Sequence, residues 1–391
     1  MYWEWILLFC VIILAIYLVW AALKRSDKRT TIRSIRNIPP EYLKGLNYVL
    51  NEQQDKAIDL FIRMLEVDSD TVETHLALGY LFRRRGEVDR AIRIHQNLIA
   101  RPTLSEDQRS LALLELGMDY MRSGLLDRAE SLFKELVNSR RYGVQAYKEL
   151  LDIYQQEKDW HEAVEVARHL QSINRDDLSH QIAQFYCELA EQSLTRGKLK
   201  DANQYIRKAL NTDPDCVRAS LLEAEAESRE NNFRLALKSY KRIEKQDSDY
   251  LPEVIAPIMQ CYREMGKLDD GRKYLQDIVN RYDGITPLLY LTRIIEETRG
   301  EKEAIKFISK ELKRRPSVRG VDKLVEYVLG MADGEIRENL QTIKEMTGKL
   351  LTNSPVYRCQ HCGFDAKLMH WHCPSCKQWS TIKPVYGVAG E

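Results

Sequence analysis

Four cysteines and three histidines lie within eighteen residues near the end of the chain, in the segment CQHCGFDAKLMHWHCPSC, residues 359–376. The cysteines form two C-x2-C pairs, Cys359 with Cys362 and Cys373 with Cys376, separated by ten residues. Two residues between thiolates let one tight turn bring both sulfurs to one ion, so two such turns supply a tetrahedral shell of four sulfurs. The spacing predicts a metal site with these four ligands, and either iron or zinc suits them.

Other chemistry for the same segment is less favoured. A shell in which His361, His370 or His372 replaces one cysteine stays open as an alternative. A redox pair of the thioredoxin type would need one C-x2-C in a βαβ context, which this short tail lacks. Four thiolates leave no position for water or substrate, and Asp365 is the only carboxylate between the first and last ligand. No catalytic residue is therefore predicted.

The tail that carries these cysteines is predicted to be a separate small domain, residues 355–391. It has 37 residues, and chains below about 40 residues usually need a metal or disulfides to fold alone. Metal binding should therefore supply its folding energy. Its dense aromatic residues are predicted to close a small core or to pack against the preceding helices; they are Tyr357, Phe364, Trp371, Trp379 and Tyr386.

The two cysteine pairs resemble the knuckles of the rubredoxin-like and zinc-ribbon family, C-x2-C-G and C-P-x-C-G. CQHCG matches the first knuckle, and CPSC matches the second except that Lys377 stands in place of the final glycine. The ten-residue separation is far shorter than in electron-transfer rubredoxins, which argues against electron transfer. A rubredoxin-type redox protein with an iron–thiolate centre on a repeat scaffold is the alternative function.

The composition of the whole chain points to long solvated helices. Of 391 residues, 30% are charged, with only 11 prolines and 18 glycines, and the net charge is +1. A nearly neutral chain has no overall field to attract nucleic acid, so no nucleic-acid partner is predicted. The remaining cysteines are scattered, which favours reduced thiols in the cytosol; they are Cys10, Cys187, Cys216 and Cys261.

The N-terminus contains a predicted membrane anchor, residues 1–23. ILLFCVIILAIYLVWAAL, residues 6–23, has no charge and would span about 27 Å as a helix. A cleaved signal peptide carries positive charge before its apolar stretch, whereas Glu4 is the only charged side chain there. KRSDKRTTIRSIR follows, within a basic juxtamembrane linker, residues 24–40. The positive-inside rule then places the rest of the chain on the cytoplasmic side.

An internal repeat fills residues 41–316. A small residue recurs at spacings of 34, 38, 34, 39, 34, 35 and 33 residues, at Ala57, Ala91, Ala129, Ala163, Ala202, Ala236, Gly271 and Ala304. Glycines twelve residues before the first three of these are predicted to mark close helix contacts; they are Gly45, Gly79 and Gly117. Large residues four positions after an anchor, such as Phe61 and Phe133, fall on the same helix face and are predicted to pack into the neighbouring repeat.

This pattern resembles the tetratricopeptide repeat, which implies an all-α superhelix of antiparallel helix pairs. About eight repeats are predicted, and each buries its apolar face only against its neighbours. Residues 317–354 are predicted to form a helical capping region. Scattered histidines outside the tail are predicted to be surface or core residues.

The order of these parts, ending in WSTIKPVYGVAGE, resembles the lipopolysaccharide assembly protein B family (LapB, also called YciM) of Gram-negative bacteria. The resemblance covers the whole chain. It implies a single-pass protein of the cell inner membrane that faces the cytoplasm and regulates lipopolysaccharide synthesis as a non-enzymatic adaptor.

The same resemblance implies particular partners. They are the membrane protease FtsH, the LpxC deacetylase whose degradation the adaptor promotes, and the membrane regulator LapC (YejM). The family's metal cysteines correspond to Cys359, Cys362, Cys373 and Cys376. Whether the protein forms a homodimer is left open by the resemblance.

Overall fold

The computed structural model describes residues 40–67, 71–174 and 177–391. The predicted anchor, residues 1–23, and all but the last residue of the predicted linker, residues 24–40, lie outside these ranges. Across the described ranges, no helix is both long and apolar enough to span a bilayer.

The chain divides into two compact units, and the boundary between Ile153 and Tyr154 falls inside a helix. The described part of the first unit is helical. Its helices are α1 (Pro40–Leu50), α2 (Gln54–Val67), α3 (Val72–Arg85), α4 (Val88–Ile99), α5 (Glu106–Ser123), α6 (Leu126–Leu136) and most of α7 (Gly143–Glu157).

Close approach between paired helices explains the repeat glycines of the first unit. A Cβ added to Gly45 in α1 would lie 2.5 Å from the ring of Phe61 in α2, and one added to Gly117 in α5 would lie 2.5 Å from Phe133 in α6. Both rings are fully buried. Only glycine leaves room for them, so the predicted close contacts are confirmed.

The second pair uses a histidine where the other two pairs use phenylalanine. His95 in α4 lies over Gly79 in α3 and is fully buried. Its Nδ1 lies 2.5 Å from Asp119, and Arg83 donates to the other oxygen of the same carboxylate at 2.7 Å. His95 is therefore a core residue held by a buried polar network.

The second unit continues the helical repeat and ends in a small sheet. It contains α8 (Trp160–Asn174), α9 (Ser179–Thr195), α10 (Leu199–Thr212), α11 (Val217–Arg229), α12 (Phe233–Gln246), a 3₁₀ turn (Ser248–Tyr250), α13 (Leu251–Glu264), α14 (Leu268–Arg281), α15 (Ile285–Arg299), α16 (Glu301–Leu312), α17 (Val318–Leu329) and α18 (Gly334–Asn353). Its strands are β1 (Tyr357–Cys359), β2 (Asp365–Ala366) and β3 (Ile382–Pro384). The predicted all-α repeat fold with a small cysteine-bearing tail is confirmed.

The tail forms a three-stranded antiparallel sheet with the order β2-β1-β3. Arg358 in the central strand lies opposite Asp365 on one side and Lys383 on the other, and Cys359 lies opposite Ile382. Cys359 and Ile382 are buried. The sheet therefore holds the first cysteine pair in a fixed register beside the end of the chain.

Candidate metal centre

The two cysteine pairs adopt the same backbone turn. In the first, the Gly363 N–H donates to the Cys359 carbonyl at 3.0 Å, and the Cys359 N–H donates to the Phe364 carbonyl at 2.9 Å. The second has the same two bonds, Lys377 N–H to Cys373 carbonyl at 3.0 Å and Cys373 N–H to Gln378 carbonyl at 2.9 Å. Each pair is therefore a knuckle, a turn that presents two sulfurs on one side.

Both knuckles need a left-handed residue directly after their second cysteine. Gly363 has φ +77° there, and Lys377, at the equivalent position, has φ +58°. A side chain in this region is strained, whereas glycine is not. The second knuckle therefore keeps the same turn as the first although it has Lys377 in place of glycine, and Lys377 bears the strain.

Replacing Lys377 with glycine should stabilise the second knuckle by about 1 kcal/mol, because it removes this backbone strain. Gly363→Ala is the matched opposite change. A Cβ at Gly363 would have no neighbour within 4 Å. The alanine would therefore destabilise the turn only through its backbone conformation and not through a steric clash. Urea unfolding of both variants checks the pair: an Lys377→Gly protein no more stable than the original would show that the turn is unstrained.

The structure brings all four predicted sulfurs together, within 4.8 Å of one another. Cys359 Sγ lies 3.7 Å from Cys376 Sγ, and Cys362 Sγ lies 3.8 Å from Cys373 Sγ. Metal–sulfur bonds of about 2.3 Å give a tetrahedron with edges of about 3.8 Å. Two sulfur pairs therefore already have the separation that a tetrahedral ion requires, and the other sulfurs are close enough for all four to bind one ion.

The electrostatics of the cluster also favour a cation. Burial raises the pKa of Cys359, but hydrogen bonding with the Thr381 hydroxyl and with two backbone N–H groups outweighs it and lowers the pKa to about 6. Burial and the neighbouring sulfurs raise the pKa of Cys376 to about 12. The cluster therefore accepts its first negative charge easily and its last with difficulty, and a bound cation would remove that repulsion.

The three tail histidines lie outside the sulfur cluster. His372 Nε2 lies 2.8 Å from the Lys377 carbonyl, and its ring stacks on Trp379 at a centroid distance of 4.4 Å. His361 and His370 are exposed. Among the described residues, the group that could hold a metal contains only the four cysteines.

The knuckles pack against the helical repeats through an aromatic cluster around Trp379. Its ring lies edge-on to Trp160 at 6.0 Å and to Phe185 at 5.9 Å. Its Nε1 donates to Gln155 Oε1 at 3.1 Å. Trp379 is only 8% exposed although it belongs to a very small domain. The helices therefore complete the core that the tail is too short to form alone.

A second contact lies at the loop between α12 and α13. Tyr250, 2% exposed, stacks on Trp371 at 5.3 Å and donates from its hydroxyl to the Ser380 carbonyl at 3.3 Å. Lys383 Nζ donates to Asp247 at 2.8 Å and to Asp249 at 2.7 Å. One lysine between two carboxylates fixes the tail electrostatically next to the aromatic stack.

Further contacts extend along the strands to the end of the chain. The Tyr357 hydroxyl donates to Glu253 at 2.7 Å. The Glu391 side chain accepts from the Thr286 N–H at 2.8 Å, in the first turn of α15, and from Arg319 at 2.7 Å. A carboxylate at a helix N-terminus is favourable, so the last residue also holds the tail on the helices.

The helical residues that receive the tail were not predicted from the sequence. Trp160, Phe185 and Tyr250 look like ordinary repeat residues, since each has an apolar face to bury. One signal was available in the sequence. The acidic segment DSD, residues 247–249, has a charge opposite to that of Lys383 in the tail. The predicted packing role of the tail aromatics is confirmed for Trp371 and Trp379.

Comparisons with known proteins agree with this architecture. A family model described as a rubredoxin metal binding domain matches residues 357–384, and tetratricopeptide-repeat models match residues 74–109, 187–250 and 258–284. The chain is therefore a tetratricopeptide-repeat protein with a C-terminal knuckle domain of the rubredoxin type.

Near full-length relatives define the family more closely. The chain is 39% identical over 385 residues to lipopolysaccharide assembly protein B of Escherichia coli (strain K12), covering 98% of this chain and 99% of that protein. It is 35% identical over 388 residues to the protein of the same name from Haemophilus influenzae, covering 97% and 98%. The chain belongs to the lipopolysaccharide assembly protein B family.

Proposed function

We propose that this protein is a non-enzymatic adaptor that acts in lipopolysaccharide assembly. The observation that carries the proposal is the near full-length match to proteins named for that role. Repeat helices supply long surfaces for protein partners, and the tail adds a rigid domain to them. The alternative of a redox protein with an iron–thiolate centre is not favoured by these relatives.

The four cysteines are proposed to hold one metal ion, iron or zinc. In support, their sulfurs lie within 4.8 Å of one another, and both knuckles have the turn that presents two sulfurs together. A closed shell of four thiolates supplies folding energy to the tail. Cys359 and Cys373 are buried and Cys362 is exposed, so the ion would lie between the two turns.

The finer proposal concerns the membrane and the partners. Residues 1–23 would anchor the chain in the inner membrane, with the repeats on the cytoplasmic side. There the adaptor would present the LpxC deacetylase to the protease FtsH and respond to the regulator LapC (YejM). Confinement to the membrane plane raises the effective concentration of adaptor and protease without new contacts.

A chain lacking residues 1–23 tests this function. Effective concentrations from tethering change binding by about 10²–10⁴-fold, so the anchorless chain should fail to lower LpxC in a Gram-negative host that lacks its own copy of the family. The full chain should lower it, and so should a chain whose anchor is replaced by an unrelated transmembrane helix. Quantitative immunoblotting of LpxC measures all three.

Two results would count against the proposal. If the full chain leaves LpxC unchanged, the adaptor role toward this client is wrong. If the anchorless chain lowers LpxC as well as the full chain does, the role of the membrane is wrong.

A further inference from the structure

A small cleft lies between helices α13, α14 and α15 of the second unit. Its volume is about 190 Å³, and apolar side chains form part of its wall; they are Met259, Leu268, Tyr290 and Ile294. Leu268 is 47% exposed, although leucine is among the residues most often buried. The cleft therefore presents apolar surface to the solvent.

Charged side chains also line this arginine cleft, and four arginines outnumber two carboxylates. They are Arg263 of α13, Arg272 of α14, Arg293 and Arg299 of α15, Asp269 and Glu297. Four positive and two negative charges leave an excess of two positive charges. Positive charge gathered in a cleft from three helices attracts anions.

The carboxylates of the cleft hold its arginines only loosely. Arg272 lies 3.6 Å from Asp269, and Arg293 lies 3.7 Å from Glu297. Exposed ion pairs of this kind contribute little to stability. In the part of the chain that the structure describes, neither Arg263 nor Arg299 forms an ion pair. The guanidinium groups are therefore free to bind carboxylates of another molecule.

The dimensions of the cleft favour a peptide over a compact small molecule. Small-molecule pockets usually measure about 300–1,000 Å³, so this cleft holds one or two side chains. Tyr290 also lines a second cleft of about 450 Å³, together with Pro252 of α13 and Thr286 of α15. From Thr286 to Glu297, α15 rises about 16 Å, which equals about five residues of extended chain. The groove between α13 and α15 therefore suits an extended segment.

We propose that the arginine cleft binds a partner protein through an extended segment in which an aliphatic side chain stands between acidic residues. The aliphatic side chain contacts Leu268 and Ile294, and the carboxylates on either side bind the arginines. A nucleic acid offers anions but no aliphatic side chain. The inference rests on the proposed adaptor role, because an adaptor needs a site that holds a partner.

The test is fluorescence anisotropy with the purified full chain in detergent. The acidic probe is a fluorescein-labelled peptide that repeats Glu-Glu-Leu. In two matched probes, glutamine replaces every glutamate or serine replaces every leucine. Only the acidic probe should bind. Its affinity should fall as salt rises, because the screening length drops from about 10 Å at 0.1 M to about 3 Å at 1 M.

Substitutions locate the probe on the protein. Arg263→Glu together with Arg299→Glu should raise the dissociation constant about 10-fold, because both changes reverse a charge in the cleft. Leu268→Gln should raise it about 5-fold through lost apolar contact. Arg207→Glu, at an exposed arginine of α10 outside the cleft, is the matched control and should bind the probe normally. Circular dichroism melting confirms that every variant folds.

Three outcomes would overturn the inference. They are an acidic probe that does not bind, a glutamine probe that binds equally well, and unchanged binding by the double arginine variant. If the chain binds decanoate in calorimetry but not the acidic probe, the cleft takes a small amphiphilic anion instead. The assay contains no LpxC, so its failure and a failure of the adaptor role in cells are separate results.

Discussion

Cys359→Ser together with Cys373→Ser is expected to release the metal and to unfold residues 355–391. One cysteine is lost from each knuckle, so neither turn can present a complete pair. Structural zinc contributes roughly 10–16 kcal/mol of apparent binding energy in small domains, far more than a tail of this size can gain from its own core. The loss should therefore be complete.

Three measurements follow that loss. Metal analysis should fall from one ion per chain to none. Trp371 and Trp379 should enter water, so tryptophan emission should shift to the red. The second unit should melt at a lower temperature, because its helices lose the surface that the tail covers. The proposed shell of four cysteines contains no histidine. His361→Ala and His370→Ala are therefore the controls and should change none of these values.

Two contrary results have different meanings. A double-serine variant that keeps one ion per chain would show that the ligands lie elsewhere. A metal-free variant with native emission and native melting would show that packing against the helices, and not the metal, holds the tail in shape.

The sequence was sufficient for features that depend on local spacing. Cys359 and Cys362 are close because two residues separate them, and that holds in any fold with a knuckle turn. The position of Gly45 in the repeat predicts a close helix contact there, but the contact is made by Phe61 of the same helix pair, whereas Phe61 was predicted to pack into the neighbouring repeat. Such contacts recur in each unit and leave a periodic trace in the sequence.

Contacts between the tail and the helices leave no such trace. Lys383 and Asp249 are 134 residues apart, and Trp379 and Gln155 are 224 apart. Which helices receive the tail depends on the summed rotations of the intervening repeats, which no single repeat encodes. The left-handed turn at Lys377 is a different case, since the structure around it forces a conformation that the residue type does not favour.

Trp379→Ala is expected to loosen the packing of the tail on the helices while leaving its metal bound. The indole fills the space between Trp160 and Phe185 and donates to Gln155. Removing a buried tryptophan costs about 3–5 kcal/mol. The four sulfurs and both knuckle turns contain no atom of this side chain, so metal analysis should still give one ion per chain.

Trp379→Phe is the matched control. It keeps an aromatic ring against Trp160 and Phe185 but loses the hydrogen bond to Gln155, which costs about 1 kcal/mol, and part of the packing of the larger indole, so it costs less than the alanine change. The tail should stay attached in this variant. Hydrogen exchange measures the attachment of the tail. The three strands and helices α8 and α9 should exchange faster when the tail is loosened, and at the original rate when it is not. Equal exchange in the alanine variant and the original would show that the aromatic cluster does not hold the tail.

The Trp379→Ala protein also separates two roles for the knuckle domain. If the domain contacts a partner directly, a loosened tail that still holds its metal should retain part of the adaptor activity in cells. If the domain acts by completing the helical surface, Trp379→Ala should abolish that activity as fully as the double-serine variant does. We expect the second result, because the tail packs Trp371, Trp379 and Lys383 against the helices, and these are side chains with which so small a domain would recognise a partner.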